Sequence, residues 1–172
     1  WVACDQAKIP VAIQWLLKEY LPSMGIPKSD IQLLSPQHRG DVGNIALNQM
    51  VQDIWNPKPV QELSGWRLGD RVIQTSNDYD KNVFNGDIGV IELIDPEEKE
   101  FIVRYPCPES PDGKTVVYSS GEMSDVMLAY SISIHKSQGS EFPVVIIPAT
   151  MQHYIMLKRN LYYTGVTRGK KL

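Results

Sequence analysis

The chain has 172 residues, 42% of them hydrophobic, and a formal net charge of −3, a size that fits one domain or one domain carrying a small insertion. No stretch approaches the roughly 18 apolar residues that span a bilayer, residues 1–20 lack the pattern of a secretory signal, and two cysteines, Cys4 and Cys107, are too few for a disulfide framework or a zinc site. The expectation is a cytoplasmic protein without a membrane partner, and Trp1 in place of an initiator Met predicts a piece of a longer chain.

Ile9, Ala12, Ile13, Leu16 and Tyr20 recur at the spacing of one helix face, with Pro10 suited to the first turn and Pro22 ending the segment. DIQLLSP (30–36) reads as a short buried strand, and the polar, glycine-bearing HRGDVGN (38–44) as a loop. Leu47, Met50, Val51 and Ile54 predict a second amphipathic helix, stopped at Asn56-Pro57. Helix, strand, loop and helix make an α/β unit.

Near Gly65 the character changes. GDRVIQTSN (69–77), DIGVIELID (87–95), KEFIVRYP (99–106) and KTVVYSS (114–120) are four short strand candidates. Asn85-Gly86 is a tight-turn signal, and Asp95-Pro96-Glu97-Glu98 is a second turn. Strands at this spacing predict a small barrel, an all-β module of about 55–60 residues inside the α/β chain. PDGKT (111–115) has the tail of a phosphate-binding loop, but Pro108 stands where that loop needs its first glycine; the expectation is a β-turn. After about Met123 the α/β character returns. DVMLAYSIS (125–133) leads to the polar run His135–Gly139, then to the strand PVVIIPA (143–149). A helix is predicted from about Tyr154 to Lys171, with Leu157, Leu161 and Thr164 on one face.

The charge is segregated. Residues 65–122 hold six basic and twelve acidic residues, whereas residues 131–172 hold six basic and one acidic. Excess positive charge in the C-terminal part suits an anion, nucleotide or nucleic acid, and equally a solvated helix face. In SIHKSQGSEFP (133–143), a polar run at a strand end is where α/β sheets place ligand chemistry. Lys136 can meet a phosphate, Ser133, Ser137 and the turn amides can donate to anionic oxygens, and Gly139 permits close approach. Arg168, in RNLYYTGVTRGKK (159–171), shares a helical face with Leu161 and Thr164. Turned inward, it meets an anion or a structural salt bridge; Arg39 carries the same two readings.

LSPQHRGDVGNIALNQMVQDIWNP (34–57), GDRVIQTSNDYDKNVFNGDIGVI (69–91), AYSISIHKSQGSEFPVVIIP (129–148) and RNLYYTGVTRGKK together resemble, in order and spacing, the C-terminal part of RecD-like helicases. These are superfamily 1, 5′–3′, ATP-dependent DNA helicases; some are the alpha subunit of exodeoxyribonuclease V. The resemblance implies an α/β fold in which residues 1–64 and 123–172 form a discontinuous second RecA-like motor domain of P-loop NTPase type. Residues 65–122 would be an inserted SH3-like barrel, whose acidic balance argues against a broad DNA clamp and leaves local contacts through Arg67, Arg71 or Lys81.

Carried over position by position, the resemblance makes Arg168 the arginine that reaches the γ-phosphate and Arg39 its assistant. Gln138, Gly139 and Glu141 become nucleotide-side positions, and Ser133, His135, Lys136 and Ser137 hold the DNA backbone. Tyr163 and Thr167 fall at the coupling interface. Walker A and Walker B sequences are absent from this stretch. ATP and Mg2+ are therefore expected to bind mainly to a first motor domain in the parent, and the isolated chain is expected to be inactive. Implied partners are single-stranded DNA, that first RecA-like domain, and helicase–nuclease or single-strand-binding proteins of DNA repair and recombination. The alternatives are a non-catalytic DNA- or protein-binding module and the helicase part of a conjugative relaxase.

Overall fold

A computed structural model of the chain describes residues 2–57, 59–150 and 159–172. Its elements run α1 (Ile9–Trp15), a π-helical turn (Leu16–Tyr20), α2 (Leu21–Ser23), β1 (Ile31–Ser35), α3 (Asn44–Trp55), β2 (Glu62–Leu63), β3 (Trp66–Arg67), β4 (Arg71–Gln74), β5 (Ile88–Asp95), β6 (Glu100–Cys107), β7 (Ser110–Ser119), β8 (Val126–Leu128), β9 (Ser131–Ser133), β10 (Val144–Ile146) and α4 (Arg159–Val166). They divide into two compact units, Trp1–Trp55 with Tyr130–Leu172, and Asn56–Ala129. No helix among the described residues is long and apolar enough to cross a membrane.

The first unit is built on a parallel sheet in the order β10-β1-β9. Its central strand β1 is buried along its whole length, as a parallel strand covered on both faces must be. The N-terminal helical run does not bury the expected face: Ile13, Leu17 and Leu21 are buried, while Tyr20 is half exposed. Pro22 supplies the reason. It has no N–H to give to Lys18 and its ring crowds that carbonyl, so the preceding turn opens. The N–H of Leu21 then reaches back to the Leu16 carbonyl, five residues away. The predicted start of the last helix, including Tyr154 and Leu157, lies outside the described residues. Trp55 and Tyr130, the last and first residues flanking the second unit, have ring centroids 5.8 Å apart.

The second unit holds a five-stranded antiparallel sheet, β7-β6-β5-β4-β8, and the two-stranded β2-β3. All four expected strands are present. The unit also takes Val126–Leu128, because β8 pairs with β4; DVMLAYSIS is thus split between two sheets, and the unit runs wider than 65–122. Its core is its own: Val72, Ile91, Phe101, Val103, Tyr105 and Tyr118 are buried together. The Tyr105 and Tyr118 hydroxyls lie 2.9 Å apart, and Tyr118 donates to Gln74 Oε1 at 2.7 Å. PDGKT is not the turn itself. The reversal comes at Pro108-Glu109, and Asp112–Lys114 lie inside β7. Gly113 adopts φ +77° there, and a Cβ on it would meet the Tyr105 carbonyl oxygen at 2.5 Å.

Arg67 and Lys81 are committed within this unit. Arg67 donates to the Asn56 carbonyl and faces Glu62, and Lys81 is 2.6 Å from Glu122. The Lys81 ammonium, with the Ser119 N–H and hydroxyl, holds the Glu122 carboxyl down to about 2 from its ordinary 4.5. A carboxylate with a depressed folded pKa adds stability that is present above its unfolded pKa and is lost as pH falls through the folded one. The unit is therefore expected to weaken between about pH 4.5 and 2. Glu122→Gln should flatten that limb of an acid-unfolding curve while leaving neutral-pH stability within about 1 kcal/mol, as for other exposed pairs. An unchanged acid limb would show that the pair does not contribute.

Candidate functional site

In a parallel sheet the loops leaving the C-terminal strand ends share one edge, and here these are the loop after β1, the turn after β9 and the segment after β10. Five of the candidate residues sit on the turn after β9. Ser137 N–H donates to the Ser133 carbonyl at 3.1 Å, Gln138 N–H to His135 at 3.2 Å and Ser140 N–H to Ser137 at 3.1 Å. Two hydroxyls lock it. Ser133 Oγ accepts from Lys136 N–H at 3.2 Å, and Ser137 Oγ donates to the Ile134 carbonyl at 2.7 Å. Ser137 is buried, so its hydroxyl serves the turn and faces no ligand. His135, Gln138 and Gly139 are exposed. Gly139 has φ +85°, and no atom lies within 4 Å of where its Cβ would be. The approach to the turn is open at that point.

Lys136 is only partly exposed, and its ammonium makes no hydrogen bond or ion pair among the described residues. Burial pulls its pKa below the usual lysine value. A partly desolvated cation without a counter-ion is relieved by any anion that reaches it.

Arg168 stands at the other end of the same turn. Its guanidinium donates to the Ser140 carbonyl at 3.3 Å, the Thr164 carbonyl at 3.3 Å and Thr167 Oγ1 at 3.2 Å. All three acceptors are neutral. Among the described residues Arg168 makes no salt bridge, and the neighbouring Glu141 pairs with Lys170 at 2.6 Å. That ammonium holds the Glu141 carboxyl below its ordinary range, with Arg168 adding to the effect. Backbone pairing fixes the arrangement: Phe142 N–H donates to the Arg168 carbonyl at 2.8 Å, and Lys170 N–H to the Phe142 carbonyl at 2.9 Å. Gly165 sets the distance of α4. A Cβ there would lie 2.8 Å from Ile147 Cδ1 and 3.4 Å from Ile134 Cδ1, so a larger residue would have to push the tips of these two side chains aside.

On α4, Tyr162 turns inward and donates to the Pro148 carbonyl, and burial raises its phenol pKa. Tyr163 and Val166 are exposed one turn apart. Thr167 is exposed and gives its hydroxyl to the Thr164 carbonyl.

Arg39 is exposed in the loop after β1, and its guanidinium makes no hydrogen bond or ion pair among the described residues. The loop closes tightly on α3. Asn44 N–H donates to the Gln37 carbonyl and Ile45 N–H to His38, so the loop caps the helix with its own backbone. A Cβ on Gly43 would strike the Arg39 backbone at 2.5 Å. The residues missed by sequence reasoning are on the same helix. Asn44, Asn48 and Gln52 form a buried polar stripe beside the apolar one; their spacing of four was its signal.

Residues 47–105 match the family model of the ATP-dependent RecD-like DNA helicase SH3 domain, and residues 128–172 that of the UvrD-like helicase C-terminal domain. The chain is 34% identical over 143 residues to the ATP-dependent RecD2 DNA helicase of Deinococcus radiodurans and 31% identical over 140 residues to the RecBCD enzyme subunit RecD of Mycolicibacterium smegmatis. Each match takes in 81% of this chain but only 19% and 24% of those proteins. Among solved structures, the Bacteroides Pif1 helicase in complex with ADP-AlF3 and ssDNA superposes with a TM-score of 0.60 at 19% identity, over 94% of this chain and 43% of that one. Bacteroides Pif1 bound to ssDNA gives 0.56 at 18%, over 82% and 38%. At these identities the likeness is one of fold.

Proposed function

Because the chain carries a RecD-like helicase SH3 domain and a UvrD-like helicase C-terminal domain, and so belongs with the RecD-like helicases, we propose that it is the second RecA-like motor domain of a longer ATP-dependent DNA helicase. The β unit is the SH3-like barrel inserted into it. The parent couples ATP hydrolysis to 5′–3′ translocation on single-stranded DNA. The observation that carries this reading is a pair of cations at the two ends of one short turn, neither in a salt bridge among the described residues. Lys136 stands at its start, and Arg168 is held against Ser140 at its end.

The residues present suit a nucleotide. Arg168 and Arg39 offer two guanidinium groups to phosphate oxygens, and the open face of Gly139 admits close approach. ATP supplies the phosphoryl group whose transfer drives the motor, and Mg2+ is assigned with it to the first motor domain. Arg168 acts on charge that develops as the γ-phosphoryl group leaves, and Arg39 assists. Gln138 and Glu141 flank the nucleotide side of the turn, and Tyr163 and Thr167 face the first motor domain. At the opposite end His135 and Lys136 grip the DNA backbone. Ser133 and Ser137 act there through the turn that they hold closed.

A salt titration of single-stranded DNA affinity in the full-length parent tests the reading. Lys136→Ala should weaken binding to all sequences alike and reduce the log–log salt slope by roughly 0.7, the value for one phosphate contact on a single strand. Lys81→Ala, whose ammonium is already held by Glu122, should leave the slope where it is. A slope unaltered by Lys136→Ala would remove the DNA contact from this turn.

A further inference from the structure

β9 lies at an edge of the parallel sheet, and on its open side it has no strand partner among the described residues. Two side-chain amides of α3 take that place. Asn48 Oδ1 accepts from Ser131 N–H at 2.7 Å, and Asn48 Nδ2 donates to the Ser131 carbonyl at 2.9 Å. This is the two-way exchange that a neighbouring strand would make. One turn earlier, the Asn44 amide, in the orientation that satisfies both its oxygen and its nitrogen, accepts from Ser133 N–H at 3.2 Å and donates to Ser131 Oγ at 2.7 Å. The spacing fits: one helical turn rises about 5.4 Å, and two residues of a strand about 6.6 Å. Both asparagines are more than nine-tenths buried, where hydrogen bonds are hard to replace with water.

The position of this clamp gives it a consequence. Upstream, the first N–H groups of α3 are capped by the Gln37 and His38 carbonyls, so the Arg39 loop and the helix start are one body. Downstream, Ser133 is the first residue of the turn: its carbonyl takes Ser137 N–H and its hydroxyl takes Lys136 N–H. From the Gln37 and His38 carbonyls to the Lys136 N–H, hydrogen bonds and the backbone of α3 and β9 make one connection, in which Asn44 and Asn48 are side-chain links between helix and strand.

We propose that Asn44 and Asn48 are positioning residues that transmit displacement between the nucleotide-side Arg39 loop and the DNA-side turn. They touch neither ligand; they make the two edges move together. This rests on the function proposed above.

The test uses the full-length parent and compares ATP hydrolysis without DNA, ATP hydrolysis with a saturating oligo(dT), and oligo(dT) affinity with and without a non-hydrolysable ATP analogue. Asn44→Ala/Asn48→Ala should leave the DNA-free rate within about threefold. It should lower the stimulation by DNA, and the nucleotide-dependent change in DNA affinity, about tenfold, within the range of ordinary site–site coupling. Loss of a purely structural support moves both rates by one factor, and that outcome overturns the proposal, as does undiminished stimulation. If the double variant does not fold, Asn48→Asp decides. It keeps the acceptor for Ser131 N–H and the side-chain shape but loses the donor, and it should show the same selective loss at about half the size in the logarithm. A wild-type parent whose hydrolysis ignores DNA would instead overturn the proposed function.

Discussion

Arg168→Ala in the full-length parent is expected to lower DNA-stimulated ATP hydrolysis about 10³-fold, with single-stranded DNA affinity unchanged within twofold. An arginine that meets the γ-phosphoryl group stabilises charge that exists mainly in the transition state. Its loss therefore falls on kcat, by about 4 kcal/mol for three decades. The side chain is poised for such a role, because its present acceptors are the Ser140 and Thr164 carbonyls and the Thr167 hydroxyl, none of which neutralises it. Arg168→Lys should recover little: an ammonium keeps the charge but cannot bond Ser140 and Thr167 through one planar fork while facing a phosphate. Single-turnover hydrolysis and DNA binding measured on the same preparations would decide it. Preserved turnover with lost DNA affinity would place Arg168 on the DNA side.

Phe101→Ala is expected to destabilise the β unit by about 3–5 kcal/mol, the usual cost of emptying an aromatic core position. Phe101 is fully buried, its ring centroid 5.5 Å from Trp66 and 5.6 Å from Tyr118. The surrounding cluster is drawn from residues 63–126 alone. The damage should accordingly stay within the unit. In hydrogen exchange, amides of β5 and β6 should lose protection while those of β1 keep theirs. Equal loss in β1 would mean that the two units unfold as a single cooperative core.

Several features were legible in the order of residues, for stated reasons. Ile31, Leu33 and Leu34, bounded by Pro27 and Pro36, read as a short buried strand, and Ile31–Ser35 is one, buried along its whole length. The segments 87–95 and 99–106, set between turn signals, read as short strands, and Ile88–Asp95 and Glu100–Cys107 are strands. Asn85-Gly86 marked a reversal, and Gly86 has φ +104° there. These signals are local, since period and turn chemistry act over a few neighbouring residues. The positions of Lys136, Gly139 and Arg168 are local signals too, a polar run at a strand end and an arginine at helical spacing from Leu161 and Thr164.

Other features were decided by the fold. Periodicity put Tyr20 on the buried face, but the turn opened by Pro22 handed burial to Leu17 and Leu21. Val126–Leu128 and Ser131–Ser133 read as one segment, yet pairing with β4 and β1 sends them to different sheets. Apolar spacing found the helix 44–55 but not its buried polar stripe, because an asparagine is polar in any window and becomes structural only when a strand edge lies across from it. The edge that gives Asn48 its meaning is 83 positions away in the chain. Residue type and spacing determined which elements form and where charge collects; long-range hydrogen bonding, which leaves no local period, decided which of their side chains hold the site together.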